Sequence, residues 1–196
     1  MTKSSAPSRE RIVAGAADLI SRRGLNAASI REVARHSRAP LGSTYHYFPE
    51  GKQQLATEAV RYAGDAVARV LRKELEAGPV AGLRAFLALW RGIVVDSDFR
   101  AGCPVLAVSV EEPPDGTVPP ALAAAAEAFA TWERLLADAL CAHGAAPDQA
   151  AELAALVVAA VEGATAMCRA GRSVQPLDRV GRQLEGVLAG ALRPAD

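Results

Sequence analysis

Pro40-Leu41-Gly42-Ser43-Thr44-Tyr45-His46-Tyr47-Phe48-Pro49-Glu50-Gly51-Lys52 is the stretch on which the reading of this chain turns. Proline at 40 suits the first turn of a helix, where its missing N–H would have no intrahelical partner. Pro49-Glu50-Gly51 breaks the chain again after Phe48. The helix so bounded, 40–48, carries small polar and aromatic residues. Just upstream, Ser29-Ile30-Arg31-Glu32 reads as a capping box that opens a second short helix, running to about Arg35. Two short helices joined by a tight turn form the pattern of a helix-turn-helix. Gly42 and Ser43 keep the second helix slim enough at its start to enter a major groove. Ser43, Thr44, Tyr45, His46 and Tyr47 offer hydrogen-bonding groups, and Arg31, Lys52 and helix N–H groups are candidate phosphate anchors. Spacing alone also fits an ordinary helix pair, with Tyr45 and Tyr47 packed inside and His46 solvated.

Outward from this stretch the chain reads as all-α. Ile12, Ala16, Leu19 and Ile20 recur at helical spacing in a helix that starts at Arg9, capped by Ser8, and stops at Gly24. The residues before Ser8 read as disordered. A fourth helix is expected from Lys52 to about Ala77, ending at Gly78-Pro79. At 1.5 Å per residue it would be roughly 35–40 Å long, enough to leave one domain and enter another. Further helices are expected near 79–97, 104–110, 119–142, 147–170 and 176–192, with a proline-rich loop over 111–120. Alanine and leucine dominate, and aromatics make up only 5% of the 196 residues; that composition favours helix over sheet.

The formal net charge is +0, yet the charge is unevenly placed. Residues 1–62 hold ten Lys or Arg against five Asp or Glu, and the rest holds twelve against seventeen. A basic amino-terminal unit on an acidic body is the asymmetry expected when only one domain meets phosphate. The three cysteines, Cys103, Cys141 and Cys168, form no C-x-x-C pair and no zinc-type cluster with histidine, so neither a disulfide framework nor a metal is expected. No cofactor is expected either. His36, His46 and His143 are scattered, and no nucleophile–base pair or phosphate loop is visible, which argues against an enzyme. The amino terminus lacks an apolar signal core, and the longest apolar run, Leu153 to Val161, is too short for a bilayer. The expectation is a cytoplasmic protein with no membrane partner.

The string Arg23-Gly24…Ala28-Ser29…Val33-Ala34…Pro40-Leu-Gly42-Ser43-Thr44-Tyr45-His46-Tyr47-Phe48-Pro49-Glu50-Gly51-Lys52-Gln53-Gln54-Leu55 closely resembles the amino-terminal domain of TetR-type regulators. Phe48-Pro49-Glu50-Gly51-Lys52, with Gly102-Cys103-Pro104-Val105 further on, resembles the LmrA/YxaF-type branch. The motif-bearing part covers residues 9–60; the remainder agrees in length and helix pattern. The resemblance implies a helix-turn-helix domain over 1–55 and a helical ligand-binding and dimerisation domain over 56–196. It implies groove or phosphate contacts to double-stranded DNA from Ser43, Tyr45, His46 and Tyr47 and a phosphate contact from Lys52, with Ser29 capping helix two near the backbone and Gly42 letting the helix approach closely; Leu41, Thr44 and Arg31 complete the candidate DNA-binding set. Phe48 and Leu55 would belong to the core. Two departures stand out. Arg38 holds the turn position usually given to glycine, and so must accept a left-handed conformation or another turn. Tyr47 stands where the family usually has histidine.

In the resembling family the body dimerises through its last two long helices and encloses a small-molecule pocket. Leu153, Leu156, Val157, Ala160 and Val161 form one apolar face, and Leu184, Val187, Leu188 and Leu192 another; they suit a homodimer interface or an internal core. Candidate pocket residues are Phe86, Trp90, Val105, Leu106, Phe129, Trp132 and Met167, with Cys103, Ser109, Glu162 and Thr165 as polar groups. Glu162, a carboxylate in an apolar stretch, needs a partner; an ion pair with Arg169 is the first expectation and a cationic ligand the second. The implied function is a dimeric repressor released from a pseudo-palindromic operator by a small hydrophobic effector. The competing reading is a helical protein- or lipid-binding module with a vestigial helix-turn-helix. Steep weakening of binding with salt distinguishes the first.

Overall fold

The computed structural model describes residues 9–112 and 119–192. The expected disordered start, the Ser8 cap and residues 113–118 of the proline-rich loop lie outside that range. Among the described residues all regular structure is helical. The helices are α1 (Arg9–Arg23), α2 (Ile30–His36), α3 (Leu41–Tyr47), α4 (Lys52–Leu75), α5 (Pro79–Asp96), α6 (Pro104–Ser109), α7 (Pro120–Ala142), α8 (Pro147–Gly171) and α9 (Gln175–Ala191). Each expected helix is present with its ends within about two residues of expectation. Pro40 is the N-cap of α3 and does not enter its first turn: at φ −60° and ψ 134° its backbone is extended.

The chain divides into two compact units, Met1–Gly64 with Pro104–Glu127 and Asp65–Cys103 with Ala128–Asp196. This differs from a division into 1–55 and 56–196 in one instructive way. Helix α6 packs against α1 and buries Val105 and Val108, so residues 104–127 return to the first unit. Helix α4, 24 residues and about 36 Å long, runs unbroken through the boundary at Gly64.

The first unit is built on the apolar stripe of α1. Ile12, Val13, Ala16, Leu19 and Ile20 are buried, as are Ile30, Val33, Phe48, Leu55 and Val60 of the following helices and turn. Arg9 closes one end, pairing with Glu58 at 2.5 Å while its guanidinium lies 5.3 Å from the centre of the Phe48 ring. In the second unit α8 packs on α5 and α9. Its core holds Leu83, Phe86, Trp90, Trp132, Leu136, Val157, Val161, Leu184 and Leu188. Phe86, Trp90 and Trp132 meet with ring centroids 5.9 to 6.4 Å apart, the spacing of favourable aromatic pairs.

Candidate nucleic-acid interface

Helix α2 is held at both ends by its own sequence. The Ser29 hydroxyl accepts from the Glu32 N–H at 3.2 Å, an N-cap worth about 1 kcal/mol. The return half of the capping box is replaced by ion pairing, since the Glu32 carboxylate holds Arg35 and lies 3.9 Å from Arg23. At the other end Arg38 adopts φ 51°. The Ala39 N–H then reaches the Ala34 carbonyl at 2.8 Å and the Arg38 N–H reaches the Arg35 carbonyl at 3.2 Å. This is a Schellman stop with arginine where glycine is usual, so of the two outcomes open from the sequence the left-handed turn is the one adopted.

Close approach at that turn depends on Gly15 of α1. A Cβ there would collide with the Ser37 hydroxyl and Cβ. Asp18, one turn further along α1, binds Arg22 at 2.9 Å and His36 at 2.7 Å. Burial pushes the Asp18 carboxyl up, and the hydrogen bonds from Arg22 and His36 more than offset that, leaving it below the ordinary aspartate value. Arg22 and Arg35 are thus paired with acids of their own unit.

Helix α3 has two distinct sides. Inward, Thr44 and Phe48 are fully buried. Thr44 is therefore removed from the candidate contacts: its hydroxyl donates to the Pro40 carbonyl at 3.2 Å, one turn back, and none of its surface is open. Outward stand Leu41, Gly42, Tyr45 and His46, with Ser43 and Tyr47 half-buried. Tyr45 is 55% exposed and His46 leans on Tyr47, ring centroids 5.8 Å apart. Arg31 and Arg38 are exposed on the neighbouring helix and turn. Lys52 donates to the Asn26 carbonyl at 3.3 Å, and an ammonium has two further donors.

The residue missed in the sequence is Glu111. Its carboxylate accepts from the N–H groups of Leu25 at 2.5 Å and Asn26 at 3.1 Å, so the segment after α6 clamps the α1–α2 turn. Gly24, at φ 79°, makes room for it; a Cβ there would strike the same carboxylate. An acid 85 residues from its partners, inside a loop, leaves no sequence signal.

The eleven candidate pocket residues are not gathered in one place. Val105, Leu106 and Ser109 belong to α6 and to the first unit. Val105 is fully buried there, and the Ser109 hydroxyl donates to its carbonyl. Met167 is 61% exposed on α8 and lines no interior. Phe86, Trp90, Cys103, Phe129, Trp132, Glu162 and Thr165 share the second unit. Thr165 is buried and donates to the Val161 carbonyl at 2.8 Å. The expected Glu162–Arg169 ion pair is absent: neither Glu162 oxygen has a hydrogen-bond partner, although the residue is only 3% exposed.

The expected faces of α8 and α9 are also redrawn. Leu153, Val157 and Val161, with Leu184 and Leu188, are core of the protomer. The open side of α8 carries Glu152 near its start and then Ala155, Leu156, Ala159, Gly163, Ala166 and Met167, while exposed residues of α9 include Arg182, Gln183, Gly186, Val187 and Gly190. With alanine and glycine extending the central run, α8 is long and apolar enough to cross a membrane, and half of that stretch is buried within the protein.

Residues 12–59 match the family model for bacterial regulatory proteins of the tetR family, and residues 79–183 match that for the carboxy-terminal domain of LmrA/YxaF-like transcriptional regulators. An uncharacterized HTH-type transcriptional regulator of Mycobacterium tuberculosis is 46% identical over 187 residues, covering 94% of this chain and 95% of its own. The HTH-type regulator YxaF of Bacillus subtilis is 28% identical over 90% of this chain and 93% of its own. A TetR transcriptional regulator from Legionella pneumophila has the same fold, with TM-score 0.82 at 20% identity over 94% of this chain and 98% of that one.

Proposed function

The chain belongs to the TetR family of DNA-binding transcriptional regulators, on its LmrA/YxaF-like branch, and on that premise we propose that it is a homodimeric cytoplasmic repressor released from a pseudo-palindromic operator by a small hydrophobic effector. Helix α3 enters the major groove. Leu41, Gly42, Ser43, Tyr45, His46 and Tyr47 meet base edges or the flanking backbone, and Ser29, Arg31 and Lys52 meet phosphate. The observation that carries this reading is the sidedness of α3: Thr44 and Phe48 anchor it in the core while Tyr45 and His46 stand exposed on the other side.

The open side of α8 supports the dimer. A helix that is apolar all round is stable in water only when both sides are covered, and within the protomer one side remains open. Two protomers joined through α8 and α9 would present two α3 helices to successive major grooves, about 34–36 Å apart. The effector is held by the second unit, which carries Phe86, Trp90, Cys103, Phe129, Trp132, Glu162 and Thr165. It must bind the DNA-incompetent state more tightly than the competent one, because equal affinity shifts nothing.

The test is selection from a pool of random duplex DNA with wild type and Tyr45→Ala. Wild type should enrich a palindromic consensus and bind it more weakly as salt rises, and Tyr45→Ala should lose the enrichment. Equal enrichment by both proteins would remove α3 from the reading face. Salt-independent retention of vesicles in place of DNA would favour a lipid-binding module.

A further inference from the structure

Two buried polar groups of the second unit have no hydrogen-bond partner: the Glu162 carboxylate, at both oxygens, and the indole Nε1 of Trp90. They are 3% and 1% exposed and lie on α8 and α5, helices that pack on each other. Native proteins rarely leave such groups unanswered, and each case calls for an explanation. A carboxylate is the extreme case, because burial without a partner penalises its charged form heavily. Val158, one turn earlier on α8, is buried with no such penalty; an aliphatic side chain at 162 would be the stable choice for packing alone.

We propose that Glu162 is the anchor of the effector site, and that the effector is a cation with N–H donors, a protonated amine carried on an apolar body. The proposal rests on reading the second unit as the effector-binding body and adds the ligand's chemistry to it. An anion is repelled at this place, and a neutral hydrocarbon leaves both oxygens orphaned. An ammonium supplies donors to them and restores the charge balance in one step.

Among the described residues no lysine or arginine donates a hydrogen bond to either Glu162 oxygen. Burial pushes its carboxyl up to about 7, and the Cys103 thiol draws it part of the way down. On the helices packed against α8, Arg84 of α5 holds Glu185 of α9 at 2.8 Å and Arg91 of α5 holds Asp178 of α9 at 2.9 Å. Arg172, after α8, holds Asp98 at 2.8 Å. Arg169, on α8 itself, lies against Gly102. Since the cation selects the ionised carboxylate, binding releases a proton near neutral pH. With a group titrating at about 7, affinity rises about tenfold between pH 6 and pH 8.

The experiment uses the full chain and a series of primary ammonium ions, from propylammonium to 1-adamantylammonium, each paired with the alcohol of the same shape. Binding is followed by calorimetry at pH 6, 7 and 8 in buffers of different ionisation enthalpy, for wild type and Glu162→Gln. Expected is an ammonium that binds wild type with proton release and the tenfold pH dependence, binds Glu162→Gln at least tenfold more weakly, and outcompetes its alcohol. The melting temperature of Glu162→Gln, which should rise at pH 8, verifies that the variant folds. The proposal is overturned if no ammonium binds wild type, or if one binds both proteins equally. An alcohol that releases the selected operator from both proteins would overturn it while leaving the effector reading intact. An ammonium that binds through Glu162 without changing operator affinity would overturn it as well, because the site would then not be the effector's.

Discussion

The two units of this chain handle their polar groups and open surface in opposite ways. In the first, most demands of the helix-turn-helix are met within the unit, the buried Ser37 hydroxyl at the turn after α2 excepted. Ser29 caps α2, Asp18 ties α1 to His36, Glu111 clamps the Leu25 and Asn26 N–H groups, and Arg9 ties α1 to α4 through Glu58. The second unit leaves more open: one side of α8 is largely apolar and exposed, and the Glu162 carboxylate and the Trp90 Nε1 have no hydrogen-bond partner. A unit that must present a fixed face to DNA is largely closed on itself. A unit proposed to meet a second protomer and an effector keeps open surface and unanswered polar groups.

That contrast is most exposed at α8. Gly163→Arg sets a cation in the middle of the open apolar side, where a Cβ meets nothing within the protomer. The expected outcome is a monomer by sedimentation, folded by circular dichroism, with operator affinity down about 10²–10⁴-fold because the second half-site is no longer bound through the first. A variant that remains dimeric would move the interface away from α8.

The next effect belongs to Glu162. Its carboxyl is raised from 4.5 to about 7 by burial. The folded protein therefore binds a proton that the unfolded chain has already lost, and stability declines as pH rises from about 4.5 to about 7, then levels off. The total is about 3 kcal/mol at 1.4 kcal/mol per unit. Glu162→Gln should abolish this slope, so that variant and wild type melt alike near pH 4.5 and the variant melts higher at pH 8. Parallel profiles would mean that the carboxylate is solvated and that the second unit is as self-sufficient as the first.

Glu111→Ala acts in the first unit. Losing one acceptor that serves two N–H groups should cost about 1–3 kcal/mol, and the loss should be local. Hydrogen exchange of the Leu25 and Asn26 amides should quicken while the core of the second unit keeps its protection. Unchanged exchange there would show that water replaces the carboxylate at no cost.

Much of this was legible in the sequence. The helices are marked by local signals: periodic apolar positions in α1, the Ser29 cap, Gly24 and Gly78 as stops. Each acts within one or two turns of the residue that carries it. What escaped is long-range or decided by rotation about a helix axis. Glu111 meets partners 85 and 86 residues away. Thr44 looks like its polar neighbours in sequence but shares the buried side of α3 with Phe48, four residues on. On α8 alanine and glycine leave no amphipathic contrast, so Leu156 and Leu153 read alike, although one is open and the other buried. Glu162 was identifiable as a problem residue, but the lack of a hydrogen-bond partner for either oxygen could be read only from the packed structure.

Arg38 joins the legible part to the smallest predicted effect. The sequence places a non-glycine residue at the turn, and the structure puts it at φ 51° inside a complete Schellman stop. A left-handed residue with a Cβ costs about 1–2 kcal/mol, and glycine returns part of this gain through the larger entropy of its unfolded chain, about 0.5–1 kcal/mol. Arg38→Gly should therefore stabilise the first unit by about 1 kcal/mol or less, a rise of roughly 2–4 °C for a chain of this size. If Arg38 is retained because its exposed guanidinium meets a phosphate, the same substitution should weaken operator binding. It should also flatten the dependence of log affinity on log salt by about one for each phosphate left without its cation. A variant that melts higher and binds DNA with unchanged salt slope would assign Arg38 to the turn alone, leaving Arg31 and Lys52 as the candidate phosphate anchors around α3.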